Sequence, residues 1–445
     1  MNKTPRPSGL NKIAYAPEFE KAVYRKVTRR LIPFLFLCYI FAYVDRVNVG
    51  FAKLQMQQDL GMSDSVYGVG AGIFFIGYFF FEVPCNIALQ KIGAKYWLGP
   101  TMVIWGIVSA CTMFVKSSAG FYTVRFLLGV VESGFFPGVI LFLTFWYPSK
   151  HRARVIAAFM TAIPLSGVFG GPASGWLLKT MPSVGGLHGW QWLYLVEGLP
   201  SVLAGITAMF FLQDCPEKAS WLAESEKALL QQRLHEDDNL MKSGQGSHSL
   251  ADAIRNQKVW LLCLVYFGFV MGNYGISFWL PQIVKDTLTR DPWQIGLLTT
   301  IPWGFGAIAM VLVGYHSDIT GERRWHVALA GIVGAVAFAL SAVPNIPGLL
   351  GLAALTVATA GLTSAVSSFW SLPTAFLSGT AASVGIAWIN SVGNLAGYLS
   401  PYLVGKIRDA AHTMVPALLL LSFCCLGSAM ITLSFFKHVR LEKRT

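Results

Sequence analysis

Lys91-Ile92-Gly93-Ala94-Lys95-Tyr96-Trp97 returns in altered form as Ile319-Thr320-Gly321-Glu322-Arg323-Arg324-Trp325. Gly93 aligns with Gly321 and Trp97 with Trp325, at an offset of about 228 residues. Each copy is a short basic break, carrying one glycine, between two long apolar stretches. One unit therefore reads as written twice. Two homologous halves suit secondary transporters, which hold their substrate between repeats near the bilayer midplane. A channel or a membrane enzyme has no such requirement.

Working outward from these breaks, apolar stretches of about 20 residues, the length of one bilayer crossing, fall near 31–52, 66–89, 96–115, 119–143, 154–178, 191–212, 259–284, 294–315, 326–344, 348–373, 382–405 and 414–436. The fold class that follows is an all-α integral membrane protein, its twelve transmembrane helices forming two pseudo-symmetric six-helix bundles. The expected division is a basic N-terminus (1–30), a first bundle (31–213), a linker (214–258), a second bundle (259–436) and a short tail (437–445).

Composition agrees. Charged residues are 13% of the 445 and hydrophobic ones 54%, whereas a soluble protein is roughly 25% charged. Too little polar material remains to cover a water-facing surface, which excludes a soluble enzyme and any catalytic-residue set of that kind. The net charge of +12 does not indicate nucleic acid, because the basic residues sit in short loops rather than on one face. Seven cysteines without a C-x-x-C pair read as small buried hydrophobes, so neither a metal site nor a disulfide framework is expected. The first 30 residues hold eight Lys or Arg and no apolar core, so no removable signal peptide is evident.

Twelve crossings put both termini on one side. That side collects 25 of the 34 Lys and Arg, against seven on the other, and the positive-inside rule makes it cytoplasmic. The stretch 214–258 is the one long polar segment between crossings. Its first part, Pro216 to Leu234, carries helical spacing at Trp221, Leu222, Leu229 and Leu230. It reads either as a solvated tether or as a helix lying along the membrane or the protein.

Ionisable residues at mid-span are functional candidates, since each costs at least about 2.5–3.5 kcal/mol to insert. Four stand out: Asp45, Arg46, Arg125 and Glu132. Glu82 and Glu197 lie nearer the span ends and read first as packing polar groups, with a functional role as the alternative. Tyr39, Tyr43, Arg46 and Gly50 fall on one helical face, which is the face to point at a cavity. Arg125 and Glu132 share a face about 10 Å apart along the axis. The arrangement expected from this pattern brings both guanidinium groups and both carboxylates into one wet cavity. Protonating the two acids would leave two arginines uncompensated, and an organic anion could then restore neutrality. The bland alternative is a salt-bridge network that only ties spans 1 and 4 together. All eight histidines fall in loops or at span ends, leaving carboxylates as the proton carriers.

Under the offset of about 228, Asp45 maps to Asn273, Arg46 to Tyr274, Arg125 to Ala353 and Glu132 to Ala360. The second half is thus neutral, with Asn273, Ser277, Thr363, Ser367, Trp370, Thr374, Asn390 and Asn394 on its polar faces. These residues either read the shape and hydroxyls of a substrate or make ordinary interhelical hydrogen bonds. Gly167 to Gly175 (GVFGGPASG) supplies small residues and Pro172 for close packing, and resembles the glycine-proline segment of drug/proton antiporters. Gly68-Val69-Gly70-Ala71-Gly72 mimics a phosphate loop but lies inside an apolar helix, and no Walker run occurs.

Tyr43-Val44-Asp45-Arg46-Val47-Asn48 and Arg125-Phe126-Leu127-Leu128-Gly129-Val130-Val131-Glu132-Ser133-Gly134-Phe135-Phe136-Pro137-Gly138 resemble the anion:cation symporter family of the major facilitator superfamily, over essentially the whole chain. Gly189-Trp190-Gln191-Trp192-Leu193, Glu197-Gly198-Leu199-Pro200 and Phe278-Trp279-Leu280-Pro281-Gln282 are most similar to its bacterial tartrate and phthalate transporters. The resemblance implies that Arg46 grips the substrate carboxylate and that Asp45 and Glu132 exchange protons. It implies that Arg125 meets Glu132 or the anion, with Tyr43, Tyr78, Trp370 and Asn390 lining the pocket. The superfamily's gating loop is similar at Gly314, Asp318, Gly321, Arg323 and Arg324. The first-half copy departs from it at Asn86 and Gln90, where glycine and aspartate are usual, so gating is expected to lean on the second copy.

The expected function is a proton-driven symporter importing a small organic carboxylate across a bacterial inner membrane. It is expected to work as a monomer in the lipid bilayer, with the proton as coupling ion, no cofactor, no nucleic acid and no enzyme activity. The pocket aromatics suit an aromatic acid and the polar stripes a hydroxy acid; both stay open. Rival readings are a drug/metabolite–proton antiporter and a transporter-like carboxylate sensor.

Overall fold

The structure, a computed structural model, describes residues 15–182, 184–243, 256–376 and 379–436. The tail expected at 437–445, residues 1–14 of the basic N-terminus and residues 244–255 of the linker lie outside the described residues. Every described element is a helix. The first crossing is α1 (Pro17–Val47) continued by α2 (Val49–Asp59), followed by α3 (Asp64–Ile92) and α4 (Ala94–Cys111). The fourth is α5 (Ser118–Glu132) with α6 (Phe135–Thr144), the fifth α7 (Ser149–Met160) with α8 (Ala162–Thr180), and the sixth α9 (Gly189–Phe211). After α10 (Glu224–Ser243) come α11 (Gln257–Thr287), α12 (Pro292–Thr320) and α13 (Arg324–Ser341). The tenth crossing is α14 (Gly348–Phe369) with α15 (Ser371–Phe376), the eleventh α16 (Gly379–Asn394) with α17 (Ala396–Ala411), and the last α18 (Val415–Phe435).

Local chemistry sets the helix ends. Ser63 and Ser117 accept the N–H groups of Val66 and Gly120, while Asn256 and Asp291 accept those of Lys258 and Trp293. Each satisfies a donor that an N-terminal turn leaves orphaned. Gly321 closes α12 in the left-handed conformation, φ +67, which a side chain would resist. Prolines explain three of the interrupted crossings. Pro137, Pro164 and Pro373 lie three to four residues beyond the breaks at Ser133, Thr161 and Trp370, where the ring crowds the carbonyl one turn back.

Ten crossings are long and apolar enough to be recognised by composition among the described residues. The fifth and eleventh, rich in small and polar residues, fall short of that standard. Packing repeats with the sequence: α4 lies on α9 as α13 lies on α18, and α3 on α5 as α12 on α14. Between the halves, α8 packs on α12 and α3 on α17. Gly296 allows the first approach, since a methyl group there would lie 2.4 Å from the Gly171 carbonyl oxygen. Gly68 allows the second, its missing methyl falling 2.3 Å from the Pro401 oxygen. The two glycine-rich runs are thus contact faces between halves.

Of the two readings of the linker's first part, docking is the one realised. Leu229 and Leu230 are fully buried, Trp221 stacks on Trp146 at 5.6 Å, and Lys26–Glu226 and Arg233–Glu20 pair at 2.7 Å each. Ser149 donates to Asp237 through both its backbone N–H and its hydroxyl. Hydrophobic burial of one face of α10 outweighs the solvation a free tether would keep. These contacts mark one end of the molecule, called here the α10 end; the opposite end is the far end.

Candidate functional site

The side chain of Arg46 projects from the last turn of α1 toward the second half. It is 8% exposed. Its Nε donates to Glu132 Oε1 on α5 at 3.0 Å, and Nη2 contacts the same oxygen. Its Nη1 donates to the Tyr274 hydroxyl on α11 at 3.4 Å. The guanidinium carbon lies 4.9, 5.1 and 5.6 Å from the ring centroids of Tyr43, Phe74 and Tyr78, so aromatic faces supplement the carboxylate. Among the described residues Glu132 Oε2 has no hydrogen-bond partner. The result is a desolvated ion pair where the halves meet, closed over by Tyr43 and Tyr78, both buried.

The four charges do not share one cavity, contrary to the expectation from their spacing. Asp45 is fully buried on the other side of α1. It accepts from Trp105 Nε1 at 3.1 Å, Ser109 Oγ at 2.8 Å and Ser201 Oγ at 2.5 Å, on α4 and α9. Consecutive residues are about 100° apart around a helix, so when Arg46 faces the second half, Asp45 must face into its own. Arg125 is also fully buried. Its Nη2 donates to the main-chain oxygens of Arg46 at 3.2 Å and Ala71 at 3.3 Å. Glu132, one of the two partners implied for it, is bonded to Arg46 instead, and Arg125 braces the α1 backbone from behind.

Toward the α10 end, Glu82 of α3 accepts from Asn390 Nδ2 at 3.2 Å and Ser391 Oγ at 2.8 Å. This buried carboxylate crosses between the halves about one turn beyond Tyr78. Trp370 is half-buried and meets Tyr266 edge-on at 4.8 Å. The Tyr266 ring lies on the bare face of Gly393, between Asn390 and Asn394. Asn394 and Asn273 are half-buried, and the Asn273 carbonyl accepts from Ser277. The side chain of Thr374 lies outside the described residues. Glu197 is held inside the first half by Ser174 Oγ at 2.6 Å.

Tyr274, Tyr266, Ser391 and Glu82 were not assigned to the site from sequence. For Tyr274 a signal existed, its equivalence to Arg46 under the repeat. For Ser391 and Tyr266, ordinary residues on apolar helices, none did. The gating-loop residues contact their own half: Arg323 pairs with Asp318 at 2.6 Å and donates to Ser317 Oγ at 3.0 Å, and Arg324 reaches the Leu433 carbonyl. Among the described residues nothing lies within 4 Å of where a side chain at Gly314 would begin.

At the far end, ion pairs join the two halves. Asp64 receives Lys53 at 2.7 Å and Arg408 at 3.1 Å, and Arg408 also binds Asp286 at 2.6 Å. Asp409 accepts the backbone N–H groups of Asp64 and Ser65 at 2.9 and 2.8 Å, capping α3 from the other half. Lys179 pairs with Asp291 at 2.7 Å. Lys53 is wholly buried, 3.9 Å from the Trp279 ring centroid. Among the described residues no His, Cys, Asp and Glu group could hold a metal ion.

The profile described as Major Facilitator Superfamily matches residues 35–401. The chain is 46% identical over 414 residues to the "Putative metabolite transport protein NicT" of Pseudomonas putida, covering 93% of this chain and 94% of that one. It is 46% identical over 416 residues to a "Putative tartrate transporter" of Agrobacterium vitis, covering 94% and 95%. A "Quinolone resistance transporter" of Acinetobacter baumannii is 39% identical over 427 residues, covering 96% and 97%. The solved inward-open xylose transporter of E. coli superposes with a TM-score of 0.71 at 13% identity, over 94% of this chain and 98% of that one, a likeness of fold.

Proposed function

The chain belongs to the major facilitator superfamily, and from that membership and the Arg46 site we propose a proton-coupled symporter that imports a small organic carboxylate by alternating access. Its setting is a bacterial inner membrane, with both termini and α10 in the cytoplasm, in keeping with the Lys and Arg bias toward that side and the bacterial relatives. It works as a monomer, with the proton as its only coupling partner and no cofactor.

One observation carries the reading: Arg46 is neutralised by Glu132 at the junction with Tyr274. A guanidinium in a low-dielectric site must keep an anion, because an unpaired buried charge costs several kcal/mol. Protonating Glu132 removes that anion, and a substrate carboxylate takes its place in the fork of Arg46. Proton and substrate thus favour each other's binding. Tyr43, Tyr78, Trp370, Asn390, Asn394 and Asn273 shape the space around the rest of the molecule. Asp45, held by three donors from α4 and α9, is the second proton carrier; it acts through the packing of those helices against α1. Arg125 positions the main chain of Arg46. Gly314, Asp318, Gly321, Arg323 and Arg324 form the turn on which the second half pivots.

Tartrate is the first substrate to try, given the name of the 46% relative. The test is uptake of labelled tartrate and of aromatic acids into proteoliposomes under an imposed inward proton gradient. Accumulation that collapses with a protonophore supports the reading; carboxylate flux indifferent to the gradient overturns it. A second reading, proton-driven drug export, draws on the 39% identity to the quinolone resistance transporter. Quinolone flux against proton entry, without carboxylate flux, would select it.

A further inference from the structure

We propose that the groove beside the second to fourth turns of α1 binds the phosphodiester headgroup of an anionic glycerophospholipid. It is lined by Ala22, Arg25, Lys26, Arg29, Arg30, Phe211 and Trp221 and encloses about 580 Å³. The inference rests on the chain's membrane fold and is independent of the substrate.

The sequence builds this face by periodicity. Residues 22, 25, 26, 29 and 30 fall on one side of a helix, while Val23, Val27 and Leu31 on the other side are buried. Four cations therefore crowd one concavity. Lys26 is compensated by Glu226 at 2.7 Å, whereas Arg25, Arg29 and Arg30 are exposed and have no carboxylate partner among the described residues. Their repulsion is relieved by a bound anion, and guanidinium groups pair bidentately with phosphate oxygens.

The floor is aromatic and rigid. Arg30 lies 5.0 Å from the Phe211 ring centroid and 5.1 Å from that of Trp221. Trp221 is backed by Trp146, and Phe211 by Phe34 at 4.9 Å. Trp and Arg at this level, immediately before the apolar run that begins at Leu31, match the chemistry of a headgroup layer. Leu37, two helical turns past Arg30 on the same helix, and Phe210, next to Phe211 in sequence, are exposed at 45% and 83%, apolar surface that suits acyl chains and that a free phosphate would not use.

The test compares lipid retention by native mass spectrometry and melting temperature for the full chain in detergent, with added phosphatidylglycerol, phosphatidylcholine or inorganic phosphate. Arg25→Gln with Arg29→Gln changes two exposed side chains and leaves the stacked Arg30 in place. Arg290→Gln with Lys406→Gln removes the same charge from exposed positions at the far end. We expect phosphatidylglycerol retention to fall about tenfold in the first pair and to hold in the second, with phosphatidylcholine unaffected throughout. Equal loss in both pairs, retention unchanged in the first, or stabilisation by inorganic phosphate matching that by the lipid would each overturn the proposal.

Discussion

Arg46 and Tyr274 touch at 3.4 Å although 228 positions separate them, the same interval that relates the two copies of the glycine–tryptophan break. Residues equivalent under a two-fold repeat can meet only on its pseudo-axis, so this contact locates the Arg46 ion pair at the centre of the molecule. The pair is asymmetric: one half supplies charge and the other a neutral hydroxyl.

Arg46→Ala should abolish carboxylate binding. Arg46→Lys keeps the charge but loses the planar fork; a charged hydrogen bond contributes about 1.5–3 kcal/mol, so affinity should fall roughly ten- to a hundredfold. Tyr274→Phe removes one long contact and should weaken binding by less. Isothermal titration or a thermal shift against tartrate measures all three, and full affinity in Arg46→Ala removes the clamp.

Glu132→Gln mimics the protonated acid. Exchange of substrate across the membrane should survive while accumulation under a proton gradient is lost. Counterflow compared with concentrative uptake in proteoliposomes separates these, and accumulation equal to that of the parent protein would take the proton off Glu132.

Asp45→Asn turns one acceptor oxygen into a donor facing the donors Trp105, Ser109 and Ser201. A frustrated buried polar group costs about 1–3 kcal/mol. We expect a lower melting temperature together with reduced pH-driven uptake. Unchanged pH-driven uptake would confine Asp45 to a structural role.

At the far end, Asp64→Ala leaves the buried Lys53 without its carboxylate. Breaking such a pair costs roughly 3–5 kcal/mol, part of it borne by the closure between halves through Arg408. The population should shift toward far-end opening, read as faster maleimide labelling of a cysteine placed at Phe278. Asp291→Asn, which weakens the exposed Lys179 pair and keeps an oxygen to accept the Trp293 N–H, should shift it less.

Acid should loosen α10. Burial raises the Glu226 carboxyl, but the Lys26 hydrogen bond and the Ala223 N–H outweigh it, and the group sits below the usual glutamate range. A depressed carboxylate stabilises the fold above its unfolded value and loses that contribution as pH falls through the folded one. Proteolysis of α10 should therefore quicken at acid pH, and Glu226→Gln should remove the pH dependence. A rate flat across the acid range would exclude this contact as the cause.

Much of the architecture was legible because burial in lipid leaves a local signature. An apolar run of bilayer length must be a helix, since lipid offers its backbone no hydrogen-bond partner. Arg46 and Glu132 stand out in such runs because charge there is expensive. Helical spacing also predicted the shared face of Tyr43 and Arg46, which the structure keeps together around one guanidinium.

Spacing within a single helix could not say which arginine Glu132 would take, nor that Asp45 would turn toward α4 and α9, nor that Glu82 would meet Asn390 and Ser391. Sequence alone determined the crossings, their duplication and the expensive side chains, because each follows from transferring a short segment from water to hydrocarbon. Partner choice belonged to the tertiary structure, because it depends on the rotation and approach of neighbouring helices. Glycine contacts such as Gly171 with Gly296 set that approach only once both helices are in place.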